Sequence, residues 1–109
     1  MKDFIISGKS GEVYAEVELH KDETIEYFYI AHIVKDRFPD VIVKLIVEHD
    51  ELVRGFSMIL LDDVEEKLYE YDMRLQFLNK KIFSPCFKMD KIITFYTKYP
   101  TGNGFMDDY

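Results

Sequence analysis

The chain has no tryptophan, a single cysteine and no long apolar segment. Its one cysteine, Cys86, has no partner for an internal disulfide, which is typical of a reducing cytoplasm. We expect its thiol to be buried or half-buried and to pack as a small hydrophobe. The longest apolar run, residues 27–31, is too short to span a membrane, and residues 1–16 lack a secretory signal pattern. The sequence therefore predicts a cytoplasmic protein without a membrane partner.

Basic residues are few, with 14 lysines and arginines against 21 aspartates and glutamates and a net charge of −7. The acidic excess lies in residues 1–78, whereas residues 79–99 are basic. Lysines alternate there with aromatic residues that could stack on bases, but a helix end and a core strand explain them better. A negative field repels phosphate, so we expect a basic protein partner and no nucleic acid.

A chain of 109 residues, 48% of them apolar, is long enough for one folded core. We therefore predict a single domain, residues 1–109. The glycine-containing end after Pro100 predicts that regular structure stops there and that residues 101–109 form a frayed tail.

Alternating apolar and polar residues predict strands in the first third of the chain. Residues 4–6 form a short apolar run. Residues 13–20 alternate, with Val13, Ala15, Val17 and Leu19 on the core side and the residues between them on the solvent side. Residues 24–38 carry acids before bases, as a helix would, but their aromatic and β-branched composition favours a strand. Strand is the preferred interpretation, with helix as the alternative.

A β-hairpin is predicted after Pro39. Residues 41–48 (VIVKLIVE) are strongly β-branched and predict a central strand, residues 49–51 a polar turn, and residues 56–61 the returning strand. Gly55 fits a bulge or kink before that strand.

One long amphipathic helix is predicted over about residues 62–81. Asp62 followed by Glu65 fits a capping box, so the Asp62–Asp63 pair indicates a helix start rather than a catalytic or metal site. An apolar stripe then recurs every three or four residues, at Val64, Leu68, Tyr71, Leu75, Leu78 and Ile82. After a turn at residues 84–85, Phe87 fits a short strand and residues 92–99 a last strand. The fold class is thus α+β, a mainly antiparallel sheet packed by this one helix.

No pattern of reactive residues stands out. His20, His32 and His49 lack the spacing of zinc ligands, and residues 48–51 fit a solvated turn better than a metal site. Residues 102–104 resemble a phosphate loop but no helix follows them. We predict no catalytic residue, no metal and no cofactor.

Acidic side chains instead predict a surface for a protein partner. Glu16 and Glu18 share one face of a predicted strand with Tyr14, and Asp63, Glu66 and Glu70 lie along the predicted helix. Such charge commonly serves only solubility. Gathered into a patch, it would attract a basic protein and accelerate its capture.

The order of features from about residue 41 to residue 104 resembles small bacterial immunity proteins of the WapI-like kind. The matching segments are VIVKLIVEHDELVRGFSMILL, DDVEEKLYEYDMRLQFL, the strand IITFYTKY and the late TGNG. The resemblance implies a non-enzymatic cytoplasmic protein that neutralises a toxin domain, often a nuclease, by direct binding. It transfers no site residues, because contact positions in that family vary with the toxin.

Two other functions fit the composition. The many Phe and Tyr residues could enclose a small apolar ligand between sheet and helix. An enzyme would instead need carboxylates or a histidine that converge in a cleft.

Overall fold

The computed structural model describes residues 1–55, 57–89, 91–101 and 104–106, with nine strands and two helices among them. In chain order these are β1 (Lys2–Ser7), β2 (Val13–Lys21), β3 (Phe28–Asp36), α1 (Asp40–Arg54), α2 (Met58–Tyr69), β4 (Met73–Leu75), β5 (Lys80–Lys81), β6 (Phe83–Lys88), β7 (Ile92–Tyr96), β8 (Tyr99–Thr101) and β9 (Gly104–Met106).

Seven of the described strands form one antiparallel sheet in the order β5-β4-β1-β2-β3-β7-β6, and β8 pairs with β9 separately. The α+β class and the mainly antiparallel sheet are confirmed. The predicted strands at 4–6 and 13–20 are β1 and β2, and residues 24–38 contain β3, so the helical alternative for that segment is wrong. The predicted strands around residue 87 and after residue 92 are β6 and β7.

The alternation along β2 is broken at Tyr14. Ile5 pairs with Ala15 and Ile6 pairs with Val13, so Tyr14 is an extra residue in β2. Such a bulge changes the direction of the side chains beside it. Tyr14 and Ala15 are consequently both buried, whereas Val13 is exposed, contrary to its predicted place in the core.

The predicted hairpin over residues 41–61 is wrong, because residues 41–48 belong to α1 and residues 58–61 open α2. Ile42, Ile46 and His49 are the buried residues of α1 and recur at helical spacing, so packing overrides β-branched propensity here. The predicted turn at residues 49–51 is helical as well. Gly55 ends α1 rather than forming a bulge, and Phe56 lies outside the described residues.

The single long helix over residues 62–81 is also wrong. Ser57, not Asp62, occupies the N-cap position of α2, and the helix ends at Tyr69. Asp72 and Asn79 adopt φ angles of 49° and 52°, left-handed conformations that Asp and Asn tolerate better than most residues but that no helix continues through. The chain between them forms β4, and β5 follows Asn79.

The core joins the sheet to the helices. It includes Ile5, Val17, Ala31, Ile93 and Phe95 from the strands and Ile42, Ile46 and Leu68 from the helices. Because strand side chains alternate, Glu16 and Glu18 on either side of buried Val17 lie on the opposite sheet face.

The predicted frayed tail, residues 101–109, is not frayed throughout, because β8 ends at Thr101 and β9 begins at Gly104. Residues 102–103 and 107–109 lie outside the described residues.

Candidate functional site

The predicted partner-binding residues lie on separate surfaces. Glu16 and Glu18 are on the sheet face, where each has a cation beside it. Lys2 Nζ lies 3.2 Å from Glu16 Oε1, and the Met1 amine lies 2.6 Å from Glu18 Oε1. The charge of this pair is therefore largely balanced locally.

Tyr14 does not share a surface with Glu16 and Glu18, contrary to the prediction. Only 3% of it is exposed, and its ring stacks on Phe38 at a centroid distance of 6.2 Å. Burial raises the pKa of the Tyr14 hydroxyl, and a hydrogen bond with Ser7 partly opposes this. Tyr14 therefore acts in the core and in the groove described below.

Asp63, Glu66 and Glu70 are all exposed along the outer side of α2. Their spacing of three and four residues aligns them on one helix face with Ile59, which is 88% exposed. We call Ile59, Asp63, Glu66 and Glu70 the α2 stripe. None of its three carboxylates forms an ion pair with any other described residue.

The segment that forms the two helices also holds most of the negative charge. Residues 40–70 include nine acidic and three basic side chains, a net −6 of the −7 carried by the whole chain. Leu60, 58% exposed, adjoins Ile59 and enlarges the apolar end of the stripe. An apolar end beside exposed carboxylates is an arrangement that suits a basic protein surface.

The inner side of α2 carries a buried polar cluster. Glu65, predicted as part of a capping box, is only 6% exposed and meets His49 of α1, which is 2% exposed. His49 Nε2 donates to Glu65 Oε2 at 3.0 Å, and the Tyr69 hydroxyl lies 3.4 Å from the same oxygen. The Tyr99 hydroxyl donates to the other oxygen, Oε1, at 2.9 Å.

The cluster keeps Glu65 ionised. Burial by itself raises the pKa of Glu65, but hydrogen bonds from His49, Tyr99 and Tyr69 and the field of His49 bring it below its ordinary value. The Tyr69 hydroxyl also accepts the Ser84 amide N–H at 3.0 Å. The described partners thus satisfy a carboxylate that would otherwise be costly to bury.

A groove of about 610 Å³ opens where the β1–β2 turn meets the helices. Tyr14, Val41, Leu45 and Tyr71 contribute ring and aliphatic surface to it. The turn adds Lys9 and Glu12 with Ser7 and Ser10, and α2 adds Lys67 and Glu70. The structure thus brings two predicted residues, Tyr14 and Glu70, to one groove, with Glu70 shared between the groove and the α2 stripe.

Other ionisable groups do not converge. Among the described residues no three His, Cys, Asp or Glu side chains are placed to hold a metal ion, and no described helix is both long and apolar enough to cross a membrane. Cys86 is half-buried, as predicted, with Sγ 3.3 Å from Asp50 Oδ1. Burial and then the nearby Asp50 raise its thiol pKa, which disfavours the reactive thiolate.

Sequence patterns did not indicate the pairing of His49 with Glu65, because the residues lie in different helices and 16 positions apart. The available signal was the helical spacing of Ile42, Ile46 and His49, which places this histidine on the buried side of α1.

Comparison with family models finds no match, and neither curated proteins nor solved structures show significant similarity to the chain. The resemblance to WapI-like immunity proteins therefore stays a prediction.

Proposed function

We propose that this protein binds a basic protein partner through the α2 stripe, and that the partner is a toxin domain which the binding neutralises. The observation that carries the proposal is the set of exposed carboxylates at Asp63, Glu66 and Glu70, which form no ion pair with any described residue and continue an exposed apolar end at Ile59. The helical segment to which they belong holds most of the net charge.

Charge and apolar surface have separate roles in this proposal. Exposed carboxylates attract a cationic partner over a distance and raise the association rate by about 10- to 1000-fold at low salt. Apolar side chains such as Ile59 and Leu60 lose water on contact and slow dissociation. An interface of the usual size, about 1,600 Å² in total, would extend beyond the stripe to neighbouring surface of α1.

The α2 stripe is a better candidate than the sheet face that carries Glu16 and Glu18. A carboxylate that already lies beside a cation is attracted less strongly to a second cation, because the first contact has offset part of its charge. Lys2 and the Met1 amine have this effect on the sheet face, whereas the described part of the chain provides no such partner on the stripe.

The position of the best-formed ionisable cluster supports inhibition by binding, without a reaction. The best-formed cluster, around Glu65 and His49, is enclosed in the core, away from any substrate. We therefore propose a non-enzymatic inhibitor that acts in the cytoplasm by covering its partner.

The test is co-expression with the C-terminal domain of a toxin encoded directly upstream of this gene. Cells should survive with the wild-type protein, the two proteins should co-purify in a fixed ratio, and D63K/E66K should restore killing. Equal killing with and without the wild-type protein would contradict the proposal. E16K/E18K is the matched control and should still protect.

A small-ligand function is the second candidate, and the groove favours it. Its volume of about 610 Å³ is within the range of ligand sites, and it combines apolar and charged walls. It would suit a ligand with an apolar body and polar ends. Binding of an apolar fluorescent dye should be lost in Leu45→Arg and kept in Val47→Arg, because Val47 is an exposed α1 residue outside the groove. Equal binding by both variants would reject the groove.

A further inference from the structure

The groove where the β1–β2 turn meets the helices combines apolar surface with charged side chains. Val41 and Leu45 of α1 contribute aliphatic surface, and Tyr14 and Tyr71 contribute rings. Tyr14 is 3% exposed and stacks on Phe38, so the core fixes this part of the groove. The groove volume of about 610 Å³ is within the range of ligand sites and is far larger than a single bound ion needs.

Each of the two elements beside the groove contributes one lysine and one glutamate. The β1–β2 turn supplies Lys9 and Glu12, and the C-terminal end of α2 supplies Lys67 and Glu70. We call these the groove lysines and the groove glutamates. All four side chains are exposed, and none of them forms an ion pair with any described residue. A ligand can therefore pair with both signs of charge here without displacing an ion pair of the described chain.

The backbone amides of the turn are not available to a ligand. All five amides from residue 8 to residue 12 already donate to acceptors of the protein. These bonds run from Gly8 to the Asp72 carbonyl (2.7 Å), from Gly11 to the Ser7 carbonyl (2.8 Å), from Lys9 and Ser10 to Ser7 Oγ (3.2 Å each) and from Glu12 to Ser10 Oγ (3.2 Å). Free amides in turns commonly hold phosphates and peptide termini. Charge recognition in this groove must therefore come from the lysine and glutamate side chains.

The turn is also held in one position before any ligand binds. A Cβ atom at Gly8 would overlap the carboxylate of Asp72, so only glycine lets the turn lie this close to the start of β4. Ser7, which accepts two of the turn amides, is 4% exposed. A wall that is already formed lowers the entropic cost of binding.

We propose that the groove binds a short zwitterionic peptide with an apolar side chain. The carboxylate of the peptide pairs with a groove lysine, its ammonium group pairs with a groove glutamate, and its side chain covers the aliphatic surface of α1. A simple anion such as phosphate would also be repelled by the two glutamates, and a simple cation by the two lysines. The size of the groove favours a short peptide over a single amino acid. This inference rests on the small-ligand function of the groove and is independent of capture through the α2 stripe.

The test is an NMR titration of the whole chain with four forms of the dipeptide leucylphenylalanine. These are the free dipeptide, its N-acetyl form, its C-terminal amide and the form blocked at both ends. The free dipeptide should bind about threefold more tightly than either singly blocked form, the size of one solvent-exposed ion pair. It should bind about tenfold more tightly than the doubly blocked form, because both ion pairs are then lost.

Two double variants assign the charges to the groove. K9Q/K67Q should bind the free dipeptide and its amide equally, and should keep the preference for a free amino group. E12Q/E70Q should bind the free dipeptide and its N-acetyl form equally, and should keep the preference for a free carboxylate. A merely structural effect of either variant would weaken all four forms alike and would overturn the assignment.

K44Q/E48Q is the matched control, because Lys44 and Glu48 are exposed α1 residues outside the groove. It should discriminate among the four forms as the wild type does, and a loss of discrimination here would contradict the proposal. Equal binding of all four forms by the wild type would overturn it while leaving the groove as a site for apolar ligands. Failure of the groove itself would appear separately, as equal dye binding by Leu45→Arg and Val47→Arg.

Discussion

Glu65 and Glu66 are consecutive residues of α2 with opposite surroundings. Glu65 is enclosed in the core with three hydrogen-bond donors, whereas Glu66 is exposed and forms no ion pair with the described residues. A step of one residue turns a helix by about 100°, so neighbouring carboxylates can face the core and the solvent. The inner face of α2 holds the helix to the protein, and the outer face is available to a partner.

Glu65→Ala should have the largest effect on stability. It removes the acceptor of the His49 and Tyr99 hydrogen bonds inside the core, and the polar atoms that remain there are costly. We expect the free energy of unfolding to fall by about 3 kcal/mol in urea titrations. Glu66→Ala is the control and should change it by less than about 0.5 kcal/mol. Similar losses from both variants would abolish the proposed difference between the two faces.

The apolar residues of α2 give a second comparison of the same kind. Leu61 is 7% exposed and Ile59 is 88% exposed. Leu61→Ala leaves a cavity and should lower the free energy of unfolding by about 2 kcal/mol, whereas Ile59→Ala should be within about 0.5 kcal/mol of wild type. A costly Ile59→Ala would mean that Ile59 packs within the protein and is not offered to a partner.

Acid should lower the free energy of unfolding by protonating Glu65 on the inner face of α2. In the unfolded chain Glu65 binds a proton near its ordinary pKa of 4.5, and in the folded protein its pKa lies lower. The contribution of Glu65 to the free energy of unfolding is therefore fully present above its pKa in the unfolded chain. It is lost as pH falls through its pKa in the folded protein. Between about pH 5 and about pH 2, where a free histidine is already protonated, wild type should lose more stability than Glu65→Gln. Parallel curves for the two proteins would contradict this.

The sheet could largely be predicted from the sequence, because β2 and β3 carry the two-residue alternation or the β-branched and aromatic composition of strands. Helix α1 could not, since five of the eight residues 41–48 are β-branched. The helical spacing of Ile42, Ile46 and His49 becomes evident only once their burial is known. The end of α2 was missed because the apolar spacing continues past Asp72, whose left-handed conformation stops the helix.

The residues of the candidate site also fall into those that the sequence could predict and those that it could not. The exposed acids Asp63, Glu66 and Glu70 could be found because local spacing places them on one side of a helix, even with its ends misplaced. The paired charges beside Glu16 and Glu18, and the contact between His49 and Glu65, depend on chain folding over longer distances. No local pattern encodes such contacts.

We propose that the outer face of α2 captures a basic protein. Its most direct test is the association rate of the co-encoded toxin domain with D63K/E66K and with E16K/E18K, measured by stopped flow at low and physiological salt. We expect D63K/E66K to slow association about tenfold or more at low salt and to flatten its salt dependence, and E16K/E18K to change the rate by less than about threefold. Equal slowing by both variants, or slowing by E16K/E18K alone, would contradict the claim.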